Sequence, residues 1–115
     1  MSSIYHLITF GQWELSRDKG THEAETLATE GFLHCSATLE QLLRVANRLY
    51  SGRTDMLSLV IQTNRLTSHL KEEPSRSGEI YPHIYGPLNL DAVTEILELV
   101  MESGTFVAVK PLPST

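Results

Sequence analysis

One cysteine, Cys35, in 115 residues leaves nothing to pair with, so no internal disulfide framework can staple the chain. A reducing, cytoplasmic setting is the simpler expectation. No apolar run reaches the roughly 18 residues of a membrane span, and Met1-Ser2-Ser3-Ile4 has neither a basic start nor a signal core. The expectation is a chain without membrane contact. Basic residues are scarce, nine Lys and Arg against fourteen Asp and Glu for a net charge of −5. That balance argues against a nucleic-acid partner and leaves room only for a local basic cluster. Repeats, low-complexity tracts and composition breaks are also missing, which points to one domain over residues 1–115. A domain of this size buries about two-thirds of its unfolded surface, enough for a core of its own.

Catalytic and cofactor signatures are equally sparse. HxH, HxxxH, HExxH and CxxC do not occur, so no pair of metal ligands is written on one element, and no metal is expected. GxGxxG and GxxxxGK[ST] are missing, which excludes locally encoded Rossmann and P-loop phosphate cradles. Without GxSxG, nothing argues for an esterase.

What the chain does contain is a series of short β-rich segments and one clear helix. Ser3 to Phe10 is rich in β-branched and aromatic residues and reads as a strand, with Ile4, His6 and Ile8 on one face. Gln12 to Asp18 reads as a short helix stopped by Lys19-Gly20, and Thr21 to Thr29 as an exposed polar connection. Phe32 to Ser36 reads as a short strand. Thr38 and Gln41 have capping-box spacing, and Leu39, Leu42, Leu43, Ala46, Leu49 and Tyr50 then recur at helical intervals. Met56 to Ile61 reads as a buried central strand. Residues 63–78, polar and holding Pro74, read as a long mobile loop, and Tyr81 to Pro87 as a segment that its two prolines keep out of a helix. Between Val93 and Met101 the periodicity favours a helix, although Glu102-Ser103-Gly104-Thr105 also looks like a hairpin turn.

Chemistry concentrates in the histidines. His6, His34 and His83 lie in three strand-like segments, while His22 and His69 fall in polar connections and read as solvated surface. Cys35 follows His34, but neighbours on a strand point to opposite faces, so it reads as a small buried hydrophobe rather than a nucleophile. Ser36, on the His34 side, reads either as a hydrogen-bond donor to a ligand or as the cap of the following helix. Arg44 and Arg48, with Arg53 beyond, form either a modest anion patch or a solvated helix face.

The combination of Ile4-Tyr5-His6, Glu30-Gly31-Phe32-Leu33-His34-Cys35-Ser36, Val45-Ala46-Asn47-Arg48-Leu49-Tyr50 and Pro82-His83-Ile84-Tyr85-Gly86-Pro87-Leu88 resembles the bacterial family called domain of unknown function 952. The resemblance runs from about Ile4 to at least Val93. Some members carry a glutathione S-transferase label; such enzymes need a thioredoxin-like and a helical domain, which 115 residues without a cis-Pro-containing βαβ pattern cannot hold. The family looks structurally like the ADP-ribosyltransferases. That likeness implies an α+β fold, a split and mostly antiparallel sheet with a few helices around a cleft that takes an extended NAD. It also implies strands rather than a helix between Ala92 and Val109, and we follow it there.

Carried over, the likeness puts His6 at the first-strand histidine that contacts the NAD ribose, and His34 near the nicotinamide. His83 falls where a catalytic glutamate is common. A neutral histidine brings no negative charge to an oxocarbenium-like transition state, and Glu79 is the nearest substitute in sequence. The expected cleft is lined by His6, His34, Ser36, His83 and Tyr85. His6, His34 and His83 are the candidate catalytic residues, and all five are candidate ligand contacts. Tyr85 would stack on or bond to the ligand, and His83 would position a ribose hydroxyl or serve as the acceptor's general base. The expected partner is a small-molecule nucleotide, NAD or a related ADP-ribosyl compound, with ADP-ribose transfer to a small acceptor as the catalytic version. The alternatives are a non-catalytic small-ligand module and a protein-interaction domain using the 63–78 loop or the leucine-rich helix, for which the sequence names no partner.

Overall fold

Alternation along β1 (Ser3–Thr9) buries Ile4, His6 and Ile8 and leaves their neighbours only partly covered. The computed structural model describes residues 2–113. Thr9 ends the strand because its hydroxyl caps α1 (Phe10–Lys19): it accepts from Gln12 N, while the Gln12 side chain accepts from Thr9 N. Gly20, at φ +88, closes that helix. The chain continues through β2 (Thr21–His22), α2 (Glu25–Glu30), β3 (Leu33–His34), α3 (Leu39–Tyr50), β4 (Met56–Gln62), β5 (His69–Pro74), β6 (Ile80–Tyr85), β7 (Leu88–Asn89), β8 (Val93–Glu102) and β9 (Thr105–Pro111).

These elements make a mixed α+β fold with few helices, and every strand pairing among the described residues is antiparallel. The larger sheet has the order β1-β4-β8-β9 and the smaller β3-β6-β5; β2 and β7 form a short ribbon. The two sheets meet where Tyr5 and Ser36 exchange backbone bonds, Tyr5 N to Ser36 O at 2.9 Å and Ser36 N to Tyr5 O at 2.7 Å. That single bridge aligns the edge of β1 with the end of β3.

Both faces of the larger sheet are covered. Leu57, Leu59 and Ile61 join Ile4, Ile8, Trp13, Leu33, Ile84 and Leu88 in the main core. On the opposite face Met56, Leu99 and Phe106 pack against Ala46 of α3. Asn47 fixes that helix to β9, donating to Phe106 O at 3.0 Å and accepting from Phe106 N at 2.7 Å.

Several sequence expectations change here. Residues 63–78 are not one long loop, because residues 69–74 form β5, an edge strand too polar on both faces to show alternation. Residues 21–29 hold β2 and α2, and α2 went unread because its N-cap, Ala24, has no side-chain capping bond and the helix buries no residue. Between Val93 and Met101 the strand implied by the resemblance forms as β8, against the helical period. Its apolar residues face both cores, Ile96 toward the first and Leu99 toward the second, so both parities are apolar and the spacing mimics a helix. The Thr38 box is half formed. Thr38 Oγ1 accepts from Gln41 N, but Gln41 Oε1 takes the Ala37 N–H instead.

Candidate functional site

The antiparallel register puts Phe32, His34 and Ser36 beside Tyr81, His83 and Tyr85 on one face of the smaller sheet. His34 lies opposite His83, and β5 adds Lys71 opposite His83 and Glu73 opposite Tyr81. Leu33, Cys35 and Ile84 point the other way into the core. Burial pushes the Cys35 thiol up, and the side chain behaves as the small hydrophobe its position suggested.

A cavity of about 510 Å³ opens where this face meets β1 and α3. His6, His34, Ser36 and His83 all line it, together with His22, Arg48 and residues of α3. Four of the five residues singled out from sequence therefore converge. Tyr85 does not line the cavity; it stands behind His83. Ser36 is not the cap of α3, a place taken by Thr38, and the buried Ser36 lines the cavity.

His6 sits at the floor. Its Nδ1 lies 2.7 Å from the His34 carbonyl, which only accepts, so Nδ1 carries the hydrogen. Burial pushes His6 below the ordinary histidine range, against the opposing pull of that carbonyl bond, and the ring is neutral with Nε2 as acceptor. The hydrogen in the 3.0 Å contact to His22 Nε2 then belongs to His22. His22 Nδ1 accepts in turn from Ser16 Oγ at 2.8 Å. Expected at the solvated surface, His22 is 4% exposed and its pKa is pushed down to about 4 by burial and by His6. No periodicity flags a two-residue strand, so the sequence carried no signal for it.

His34 is the most open of the three predicted histidines. Its ring is 51% exposed and bonds to Glu30 from Nε2. Its carbonyl, rather than its ring, reaches His6.

His83 is held on two sides. Phe32 stacks on it at 4.1 Å with planes 22° apart. Its Nδ1 is 2.8 Å from Glu73 Oε1, which also accepts from the Tyr85 hydroxyl at 2.5 Å. The Tyr85 bond and then the His83 bond hold the Glu73 carboxyl below the usual carboxylate range, so it is ionised and takes a hydrogen from His83 Nδ1. Glu73, not Glu79, is the carboxylate at this histidine. Glu79 is engaged elsewhere, by Arg44, Gln41 and Tyr81, which bring its pKa down to about 2. Glu73 lies in the stretch expected to be a loop, which hid it.

The anion patch of three arginines does not form. Arg44 pairs with Glu79 and Arg53 with Asp55, leaving Arg48 at the cavity wall with no ion pair among the described residues. Among those residues no group of three or more His, Cys, Asp or Glu is placed to hold a metal ion. No helix there is long and apolar enough to cross a membrane.

The geometry defines a mixed α+β protein with a histidine-lined cavity at the junction of two antiparallel sheets. The chain belongs to the family described as protein of unknown function DUF952, whose model matches residues 7–96. It is similar to the crystal structure of protein CC0527 from Caulobacter crescentus, with 28% identity over 91% of this chain and 92% of that one and a TM-score of 0.82. The solution NMR structure of CC0527 is similar as well, at 29% identity, 91% of each chain and a TM-score of 0.78. No curated protein matches the sequence.

Proposed function

We propose that the cavity binds NAD or a related ADP-ribosyl nucleotide, in a fold of the ADP-ribosyltransferase kind. The observation that supports this reading is the convergence of His6, His34 and His83 on one cavity at the split between two antiparallel sheets. The likeness to the ADP-ribosyltransferases gives each of the three a place around a dinucleotide. Two further features agree. A cavity of about 510 Å³ lies within the roughly 300–1,000 Å³ of small-molecule pockets and takes the nicotinamide-ribose half, with the remainder extending through the open side. Arg48 supplies an uncommitted cation to a wall otherwise rich in neutral groups, which suits a pyrophosphate.

A proton NMR titration of the imidazole signals with NAD and with ADP-ribose, followed over hours, tests this. Saturable shifts confined to His6, His22, His34 and His83 are the expected result, and release of free nicotinamide marks an enzyme. Shifts without release mark a non-catalytic binding module. No shift at millimolar ligand removes the nucleotide and leaves the protein-interaction reading.

A further inference from the structure

The Glu73–His83–Tyr85 group has a polarity that the backbone alone does not require. Tyr85 O–H has one hydrogen, and it goes to Glu73 Oε1. Glu73 is thereby kept as a pure acceptor, and the other donor it meets at Oε1 among the described residues is His83 Nδ1. In neutral His83 the lone pair therefore resides on Nε2. That nitrogen has no hydrogen-bond partner among the described residues, and His83 lines the cavity while Glu73 does not. Phe32, stacked at 4.1 Å, and Glu73 together hold the ring in a single orientation. A base oriented from behind by a carboxylate and open in front is the arrangement by which a hydroxyl nucleophile is deprotonated.

We infer that His83 Nε2 is a general base for a neutral hydroxyl acceptor, water or an alcohol, and that Glu73 is its positioning residue. The inference rests on the nucleotide reading above. In the step, a lone pair on the hydroxyl oxygen forms the new bond to the ribose C1′. The bond from C1′ to the nicotinamide nitrogen breaks, and its electron pair leaves with neutral nicotinamide. The hydroxyl proton passes to His83 Nε2. A carboxylate or thiolate acceptor has no proton to lose and would leave this base idle. The base therefore favours an acceptor that arrives with its proton, as water and alcohols do.

The test has two arms. In the first, nitrogen-15 NMR of the histidine rings of the intact protein at pH 8 reads the His83 tautomer without any ligand. The expected pattern is a protonated Nδ1 and a bare Nε2, shifting toward a tautomer mixture in Glu73→Ala. A protonated Nε2 in the native protein overturns the inference whatever the nucleotide does. In the second arm, nicotinamide release from NAD is followed with and without methanol, separating ADP-ribose from its methyl glycoside. His83→Gln is expected to lower kcat by about a hundredfold or more, and Glu73→Ala by at least about tenfold, with KM for NAD little changed in Glu73→Ala. NAD that binds but is cleaved at the native rate in both variants, or never cleaved, overturns the base while leaving the binding reading intact. NAD that fails to bind overturns both.

Discussion

His6 Nε2 and His22 Nε2 lie 3.0 Å apart although sixteen positions separate them in sequence. The contact joins the first strand to the β2–β7 ribbon and continues through His22 Nδ1 to Ser16 on α1. One carbonyl sets the direction of the whole chain. Because His34 O must accept, His6 Nδ1 must donate, and each later hydrogen is assigned in turn. The Ser16 hydroxyl then has two acceptors within reach, His22 Nδ1 at 2.8 Å and the Gln12 carbonyl at 2.9 Å, and one hydrogen to give.

Neutrality of that pair makes stability depend on pH. The folded-state pKa of His22 is about 4 against an ordinary 6.5, so between those values the unfolded chain binds more protons than the folded one. Stability is fully present above 6.5 and falls as the pH drops toward 4. A shift of that size corresponds to roughly 3 kcal/mol. Urea midpoints between pH 7 and pH 4 should decline accordingly, and His22→Gln should flatten the slope. An unchanged slope in that variant would show that His22 is not its source.

Legibility of this molecule follows burial asymmetry. Elements with one dry face and one wet face, β1 and α3, announced themselves by period, and the alternation put His6 on one face with Ile4 and Ile8, the face that is buried. Elements without that contrast did not. β8, with apolar residues toward both cores, mimicked a helix, and β5, mostly polar with Leu70 alone packed on the core, passed for a loop. Glu73 was lost with β5, and His22 was lost because its burial depends on β7, where its partner Leu88 is 66 positions away. The convergence of His6, His34, Ser36 and His83 came from the family resemblance carried by short motifs, since no local period encodes which strands will meet.

Glu79 supplies a second, separate acid limb. Bonds from Arg44, Gln41 and Tyr81 hold its pKa near 2, below the ordinary 4.5, so its contribution is present above 4.5 and lost as the pH falls toward 2. That window lies beneath the His22 window. Glu79→Gln should lower stability at pH 7 and reduce the slope below pH 4.5, leaving the slope above it unaltered. Glu73 and Asp55, also held below the usual range, keep part of the limb in place. Acid titrations of intrinsic fluorescence in both proteins separate the two windows.

Ile84 ties the candidate site to the core. It is fully buried, pairs across the sheet with Leu33, and lies between His83 and Tyr85 on the opposite face. Ile84→Ala should cost about 2–5 kcal/mol, and Ile84→Val about 0.5–1.5 kcal/mol. Both are read from urea unfolding at pH 7. A near-neutral Ile84→Ala would mean that the smaller sheet does not share the main core.

Gly86 ends β6 where a side chain has no room. Its φ is +150, and a Cβ built there meets Ser68 Oγ at 2.5 Å and Ser68 Cβ at 3.0 Å. The Ser68 hydroxyl cannot turn away freely, because it donates to the Pro87 carbonyl at 2.7 Å. Gly86→Ala therefore combines backbone strain with a clash and should cost about 1–3 kcal/mol. The two parts separate in a double-mutant cycle with Ser68→Gly, which removes both contacting atoms. The clash part should disappear in the double variant and the backbone part should remain. Full recovery would assign the whole cost to Ser68, and no recovery would assign it to the backbone at Gly86.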